Sequence, residues 1–387
     1  MWWNTILTCI FIRPFLSEIT YRNLDLILNS IFLISSLFYV KNRRKLEFTS
    51  LDKTIILFSI SLLISLFLST NFLNSLKEIY KYFSLIILFF IVRTADKEEK
   101  RTLLFIIILS ALLINIYSLY SLFFVSRYVL NYLNKHRISF PFAEEFLFRQ
   151  RAFVPFISPN LLANYLVMVI IICLGLIIQK IKRNNIDNLI LLTMICLSIC
   201  LLSLFFTKSI GGFLTLFFSL LLLFLIKKKY LPLITIILIS LLTITIIRTK
   251  TDKDFTTPLF SLQKRLSYWD ETISVIKGHP IRGVGIGNFI LKETLSAHNS
   301  YLQIWAEMGM LSLISWLTMA GIVIKNIKTQ LNLKELNYYH LGLTISGLAF
   351  FIHNLIDFSF FIPQASHLWW VIIALTQTNH LGEQDVP

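Results

Sequence analysis

Long apolar runs recur along the whole 387-residue chain, and polar residues are concentrated between them. Such runs can cross a hydrocarbon core of about 30 Å at a helical rise of about 1.5 Å per residue. The clear runs lie near residues 24–40, 53–70, 77–92, 102–126, 159–179, 188–206, 209–226, 231–247, 298–324, 338–358 and 363–378. A weaker run at 2–19, interrupted by Arg13-Pro14, is counted as a short first helix. The pattern predicts an all-α integral membrane protein, a polytopic bundle of about 12 transmembrane helices.

The distribution of charge predicts which ends of these helices face the cytoplasm. The formal net charge of +15 would favour a nucleic-acid partner in a soluble protein. Here most basic residues fall in alternate loops, at 41–45, 93–101, 180–183, 227–229 and 325–334. The short loops of the opposite set carry only Arg22, Lys77, Lys81 and Lys208. The positive-inside rule therefore predicts a multi-pass protein of the cytoplasmic (inner) membrane, with the first set of loops inside and no nucleic-acid partner.

Two long connections, 127–158 and 248–297, then face the extracytoplasmic side. Loops of this length are usually functional or disordered. The second contains apolar residues at helical spacing, namely Leu262, Leu266, Trp269, Ile273 and Ile276. This spacing predicts an amphipathic helix that lies on the membrane or caps the bundle, and that ends at Gly278 before Pro280.

Basic residues from distant parts of the chain are predicted to share the outward-facing surface. They are Arg151, Lys208, Arg265 and His298. Each has an ordinary explanation alone: a snorkelling interface residue, the end of a span, or a helix-cap residue. Together they form a group of cations that favours binding of a diphosphate, because the planar guanidinium of arginine donates two parallel hydrogen bonds to phosphate oxygens. The glycines at 283, 285 and 287 follow no predicted strand, so we do not interpret them as a nucleotide-binding loop.

Three further ionisable residues are predicted near the ends of apolar helices. His353 and Asp357 are four residues apart and are expected to share a helix face. Glu307 would lie roughly 13 Å below His298 along a continuous helix. Ionisable residues within spans are functional candidates, although a buried interhelical hydrogen bond also explains Glu307. No outward-facing pair of carboxylates suggests a metal site, so we expect no metal and no cofactor, and the four cysteines are interpreted as packing residues.

The order of these motifs resembles the O-antigen ligase and O-antigen polymerase superfamily. The resemblance rests on Arg265-x-x-x-Trp269, Pro280-x-x-Gly283-x-Gly285-x-Gly287, His298-Asn299-x-x-Leu302 and Glu307-x-Gly309. Arg151 with Pro159-Asn160, the turn Lys208 to Gly212, and His353 to Asp357 with Pro363 also fit. One departure is Lys208-Ser209, where the family often has Ser-Arg. Lysine keeps the charge but loses the bidentate fork.

The resemblance implies a GT-C-like membrane glycosyltransferase that acts in cell-surface polysaccharide (lipopolysaccharide) biosynthesis. It would transfer a glycan from an undecaprenyl-diphosphate carrier to an acceptor hydroxyl of lipid A core, a growing polysaccharide or a protein. The reaction would be inverting and metal-independent, with the active site facing the periplasm. Residues 1–150 would be N-terminal transmembrane helices, 151–363 the catalytic region including loop 248–297, and 364–387 the last helix and a cytoplasmic tail.

The resemblance also implies roles for individual residues. Arg151 and Arg265 would stabilise the leaving diphosphate, and His298 would position or deprotonate the acceptor, or bind diphosphate as imidazolium. The expected substrate-binding residues are Lys208, Asn299, Trp269, Glu307, His353 and Asp357. The alternative from another class is a flippase or exporter of lipid-linked glycans, which should show internal repeats and charges at midplane depth. Neither feature is evident in the sequence.

Overall fold

The computed structural model describes residues 2–17, 22–40, 47–138, 141–184, 186–224 and 258–377, and every regular element within these ranges is helical. The α-helices are α1 Trp2–Ile12, α2 Arg22–Val40, α3 Ser50–Phe67, α4 Phe72–Thr94, α5 Lys97–Tyr120, α6 Ser126–His136, α7 Pro141–Phe148, α8 Pro159–Lys182, α9 Asn188–Thr207, α10 Ile210–Phe224, α11 Pro258–Gly278, α12 Ser300–Met308, α13 Met310–Leu331, α14 Tyr338–His353 and α15 Pro363–Leu375. The predicted span 231–247 lies outside the described residues.

Five described helices are long and apolar enough to cross a membrane by length and composition. They are α3, the continuous helix Lys97–His136, α8, α9 and α13. The coarse prediction of an all-helical, multi-pass membrane protein is confirmed in this form. The number of about 12 spans and the GT-C class stay predictions.

Helix α8 is the centre of the bundle. It is apolar on every side and buried along almost its whole length, with α9, α10, α14 and α15 packed around it. Its closest neighbour is α14, where Gly175 faces Gly342. A Cβ on Gly175 would lie 2.7 Å from the carbonyl oxygen of Tyr338, so the small residues allow the two backbones to touch. A helix that is apolar all round belongs in such a central position.

The helix ends separate into two groups. At one end Arg93 pairs with Asp52 (2.9 Å) and donates hydrogen bonds to the carbonyl oxygens of Glu47 and Gln377. These residues flank the loops predicted to be cytoplasmic. The opposite end carries the α9–α10 turn at Lys208, and we call it the Lys208 end. There Gln364, at the start of α15, donates to the carbonyl oxygen of Pro14 (2.9 Å).

The weak first segment is part of the bundle. Helix α1 has 11 residues, which is about 17 Å and shorter than the hydrocarbon core. It packs on α2 and α5, and the following Arg13 forms a buried ion pair with Asp25 of α2. Asn29 also donates to the Asp25 carboxylate, at 3.1 Å. The pair attaches the first segment to its neighbour within the apolar interior.

Two predicted helices have different limits in the structure. The run 298–324, expected as one helix, is broken into α12 and α13 at Gly309, whose φ is +82°. A Cβ there would lie 2.2 Å from the carbonyl oxygen of Ile281, which accepts a hydrogen bond from the Met310 backbone. Helix α14 ends at His353, so Asp357 lies in the following turn and does not share a helix face with His353. The first long connection contains α6 and α7.

The amphipathic helix of the second connection is α11, and it caps α12 and the neighbouring loop. It ends at Gly278 as predicted, and its predicted apolar face is covered only in part by the described residues. Thr272 and Ile276 are buried, whereas Leu266 is 47% exposed and Ile273 39% exposed. The packed face also carries Tyr268, and it contacts apolar side chains of the following loop and of α12, among them Phe289, Leu291 and Ala306.

Candidate active site

Arg151 and Lys208 come together at the turn between α9 and α10. The Arg151 side chain is buried, and its Nε donates to the carbonyl oxygen of Thr207 at 2.8 Å. Lys208 adopts the left-handed conformation (φ +52°) that ends α9, and its Nζ donates to the carbonyl oxygen of Arg149 at 2.8 Å. The segment after α7 is therefore fastened along the end of α9, with two cations at the Lys208 end.

The α9–α10 turn also contacts the end of α14. Gly211 lies against His353, since a Cβ at 211 would be 3.5 Å from the imidazole Cε1 and 2.7 Å from Cδ1 of Ile356. Thr215, one turn further along α10, has its hydroxyl 3.3 Å from Nδ1 of His353. A side chain larger than glycine at 211 would push the two elements apart.

His353 and Asp357 form a buried pair despite the end of the helix between them. Nε2 of His353 lies 3.3 Å from Oδ2 of Asp357, and the same oxygen accepts a hydrogen bond from Ser359 at 2.7 Å. The backbone N–H of Ser300, at the start of α12, donates to the carbonyl oxygens of Asn354 (2.9 Å) and Asp357 (3.0 Å). The start of α12 therefore holds the turn that carries Asp357.

His298 lies directly before α12, with a positive φ of +50°. Its ring stacks on Tyr268 of α11 at 5.9 Å and meets the edge of Phe358 at 5.1 Å. Burial is the main reason that the pKa of His298 is lowered; Asp357 raises it and Arg265 lowers it further. The imidazole is therefore neutral at pH 7, when one ring nitrogen can accept a proton. Nδ1 is buried and has no hydrogen-bond partner within the described ranges.

Arg265 projects from the same face of α11 as Tyr268. Burial lowers the pKa of its guanidinium and Asp357 raises it, and the group stays charged because arginine does not deprotonate in proteins. Among the described residues the guanidinium has no hydrogen-bond or ion-pair partner. Nε1 of Trp269 and Oδ1 of Asp357 are also buried without partners there. Orphaned buried polar groups are rare in proteins, so this cluster has unused capacity to bind a polar ligand.

The glycine-rich turn before His298 is a structural support. Gly283, Gly285 and Gly287 all have positive φ, and a Cβ on Gly283 would lie 2.4 Å from the carbonyl oxygen of Glu307. The Glu307 carboxylate accepts from the backbone N–H of Gly287 (2.9 Å) and from Gln303 (2.8 Å). Glu307 therefore fits the buried hydrogen-bonding role that the sequence also allowed.

Asn299 has a clear local function. Its Oδ1 accepts hydrogen bonds from the backbone N–H groups of Tyr301 (3.0 Å) and Leu302 (3.1 Å), which makes it the N-cap of α12. The cap determines where α12 starts, and so where His298 lies. Its predicted contact with substrate stays a prediction.

Comparison with known families agrees with the motifs. Residues 195–317 match the family model described as O-antigen ligase. The matched segment is about a third of the chain, and over this length the protein is similar to O-antigen ligases. The predicted membership of the O-antigen ligase and polymerase superfamily is confirmed. The ligase segment contains Lys208, Arg265 and His298, whereas Arg151 and Asp357 lie outside it. No curated protein and no solved structure matches the chain.

The ligase segment is held by residues that sequence analysis did not select. Asn288 donates from its amide to Ser69 (2.7 Å) and Ser75 (3.0 Å), and Asn74 donates to the carbonyl oxygen of Gly287 (2.6 Å). Ser69, Asn74 and Ser75 belong to the α3–α4 turn, in the part of the chain that matched the superfamily only as hydrophobic spans. The one available signal was the density of small polar residues between two apolar runs.

The structure therefore sorts the predicted residues of the ligase-like site into groups. Arg265, His298, His353 and Asp357 are close to one another, and we call them the Asp357 cluster. Arg151 and Lys208 form a second group, connected to the first through the contact of Gly211 with His353. Asn299 and Glu307 support the loop between them. No set of three or more His, Cys, Asp or Glu side chains that could hold a metal ion occurs in the described part of the chain. Metal independence stays a prediction.

Proposed function

We propose that this protein transfers a glycan from an undecaprenyl-diphosphate carrier to an acceptor hydroxyl at the extracytoplasmic face of the cytoplasmic membrane. The match of residues 195–317 to the O-antigen ligase family model implies ligase- or polymerase-type glycan transfer in polysaccharide biosynthesis. The finer proposal concerns the donor, the location and the reaction. It is supported by the separation of the Lys208 end from the end that carries Arg93 and its predicted cytoplasmic loops.

The Asp357 cluster is the observation that carries the proposal. It places a partner-free guanidinium, a neutral imidazole and a carboxylate in one partly buried site within the described part of the chain. Charges and dipoles that are preorganised in such a site stabilise the charge that develops in the transition state without having to reorganise. This electrostatic stabilisation is commonly the largest contribution to the rate enhancement of an enzyme. These groups match the two demands of glycan transfer, namely a base for the acceptor and a cation for the leaving diphosphate.

The reaction proposed for the cluster is a single displacement. The acceptor oxygen forms a bond to the anomeric carbon while the bond from that carbon to the carrier diphosphate breaks, which inverts the configuration. The acceptor proton passes to His298, and the bonding electrons leave with the diphosphate. Arg265 stabilises the new negative charge with paired N–H donors, and Asp357 stabilises the imidazolium.

Arg151 and Lys208 are proposed to hold the carrier phosphates beside this cluster. Both side chains are directed by bonds to backbone carbonyls, so their charges are at fixed positions. The Gly211–His353 contact brings their turn next to the Asp357 cluster. Lys208 acts as a point charge, in contrast to the forked contact of an arginine.

The test is reconstitution in nanodiscs with lipid-linked glycan and candidate acceptors, followed by product analysis. Arg265→Lys should lower the transfer rate on the order of 10²–10³-fold, because an ammonium cannot replace a planar fork. His298→Ala should remove most transfer yet leave donor binding nearly intact, since general-base help is worth about 10²–10⁴-fold. Arg282→Lys and His279→Ala, in the neighbouring loop, are matched controls.

Three results would change the proposal. Loss of donor binding in His298→Ala, with binding kept in Arg265→Lys, would exchange the two roles. Wild-type protein that moves lipid-linked glycan across the bilayer and forms no product would replace the transferase with a carrier. Full transfer by both variants would remove this site from the mechanism.

A further inference from the structure

The helix that contains α5 continues well past the level of its neighbours. Residues Lys97–His136 form one uninterrupted helical segment, in which residues Ser121–Val125 have π geometry. The Phe123 ring meets the Phe206 ring at 5.1 Å, and Phe206 is the next-to-last residue of α9. From Phe123 to His136 the segment extends about 20 Å at helical rise. Helix α6 is therefore an arm beyond the Lys208 end of α9.

One face of this arm is covered and the other is open. Ser126 and Leu133 are buried, and α6 packs against α7, which leads directly to Arg151. On the opposite face Tyr128 is 72% exposed and Tyr132 48% exposed. The two tyrosines are four residues apart, so their rings lie on the same face. The His136 ring lies 4.3 Å from that of Tyr132.

The position and surroundings of these two tyrosines favour a role other than an aromatic belt. Tyr117 and Tyr120 precede Phe123 on the same helix, nearer to the apolar span, and are the better candidates for interfacial aromatic residues. Tyr128 and Tyr132 are about 8 and 14 Å beyond Phe123 along the helix axis. The open face of α6 carries Arg127, Asn131, Asn134 and Lys135 besides the tyrosines. No leucine or isoleucine of α6 lies on this face, and the exposed Ile138 follows the end of the helix.

We propose that α6 is a binding arm for an acidic oligosaccharide, with Tyr128 and Tyr132 stacked on its sugar rings. This inference rests on the proposed function and names the class of glycan. Tyrosine provides a large, rigid contact area at low entropic cost, and its hydroxyl serves polar ligands. Residues 126–138 include Arg127, Lys135 and Arg137 and no acidic residue, so the arm is electrostatically complementary to uronic-acid or phosphate groups. Its connection to α7 and Arg151 places a bound glycan beside the carrier phosphates.

The binding test uses the full-length protein in phosphatidylcholine nanodiscs with hexagalacturonate as the acidic probe and maltohexaose as the neutral one. Calorimetry should show that wild type binds hexagalacturonate at least about tenfold more tightly than maltohexaose. The double variant Tyr128→Ala with Tyr132→Ala should raise the Kd for hexagalacturonate by about tenfold or more. The double variant Tyr128→Phe with Tyr132→Phe should keep the Kd within about threefold of the wild-type value. Tyr117→Ala is the matched control and should not change it. Binding of neither probe, or unchanged binding by the double alanine variant, would overturn the proposal.

A second measurement separates the glycan from the membrane surface as occupant. A nitroxide on Asn131→Cys should be accessible to a water-soluble nickel chelate and become protected when hexagalacturonate is added. Accessibility to oxygen and not to the chelate would place the arm in lipid and refute the proposal. Transfer is assayed on the same preparations. Wild type that transfers glycan while the tyrosine variants bind normally would refute the arm alone, whereas probe binding without any transfer would refute the proposed function alone.

Discussion

Asp357→Asn tests the Asp357 cluster most directly, because it removes one charge and leaves the size and shape of the side chain almost unchanged. Ser300 donates to the backbone oxygen of residue 357, which the substitution leaves unchanged, and an asparagine Oδ1 can still accept from Ser359. The substitution also replaces the carboxylate that faces Nε2 of His353, so the expected loss of stability is about 1–3 kcal/mol, the range for a hydrogen bond to a charged group. Any large loss of transfer then reflects the missing charge and not unfolding.

The expected kinetic effect has a defined sign. In wild type burial lowers the pKa of His298, and the Asp357 charge partly opposes this. Without that charge the pKa of His298 should fall further, so the acidic limb of the rate profile, which requires neutral imidazole, should move to lower pH. The plateau rate should drop on the order of 10²–10⁴-fold, because the imidazolium formed during transfer loses its counter-charge.

The assay is transfer from a lipid-linked donor across a pH series, with folding checked by thermal melting in the same nanodiscs. Asp270→Asn, which removes an exposed carboxylate from α11, is the matched control and should leave the limb in place. An acidic limb that moves to higher pH, or a lowered plateau with no shift of the limb, would refute the coupling of Asp357 to His298.

Three further outcomes are expected. Gly285→Ala should lower the melting temperature, because the φ of Gly285 is +99° and a Cβ there would lie 2.2 Å from Oγ of Ser69. Gly278→Ala is the control and should leave the melting temperature unchanged, because a Cβ at 278 would have no atom within 4 Å. Equal melting temperatures for the two variants would contradict the support role of the glycine-rich turn. Arg93→Ala should destabilise the protein by about 3–5 kcal/mol because it leaves Asp52 buried without its partner, and adding Asp52→Ala should recover part of this loss in a denaturation series. Transfer measured with excess EDTA should be little changed, and a loss that a divalent cation restores would disprove metal independence.

Much of the architecture could be predicted because its signals are local. The apolar length of a run is visible in consecutive residues, and the alternation of basic loops indicates which helix ends belong together. The Gly278 end of α11 was also predictable, since glycine and a following proline act on the chain directly. The break at Gly309 was not, because a glycine within an apolar run is compatible with a continuous helix. Only the approach of the Ile281 carbonyl oxygen requires the positive φ there.

The features of the candidate site also divide into those that local sequence predicts and those that only the tertiary structure shows. The sequence by itself indicated a multi-pass membrane protein with a segment similar to O-antigen ligases, because the spacing of Arg265, the glycines and His298 is contained within one stretch of chain. Tertiary structure alone decided that Asp357 meets Arg265 and His298, that the α3–α4 turn clamps the glycine-rich loop, and that α6 extends past the bundle. These arrangements join residues that lie far apart in the chain or depend on how neighbouring helices end. Side-chain packing and hydrogen bonds between separate helices determine them, and no local pattern of residues encodes them.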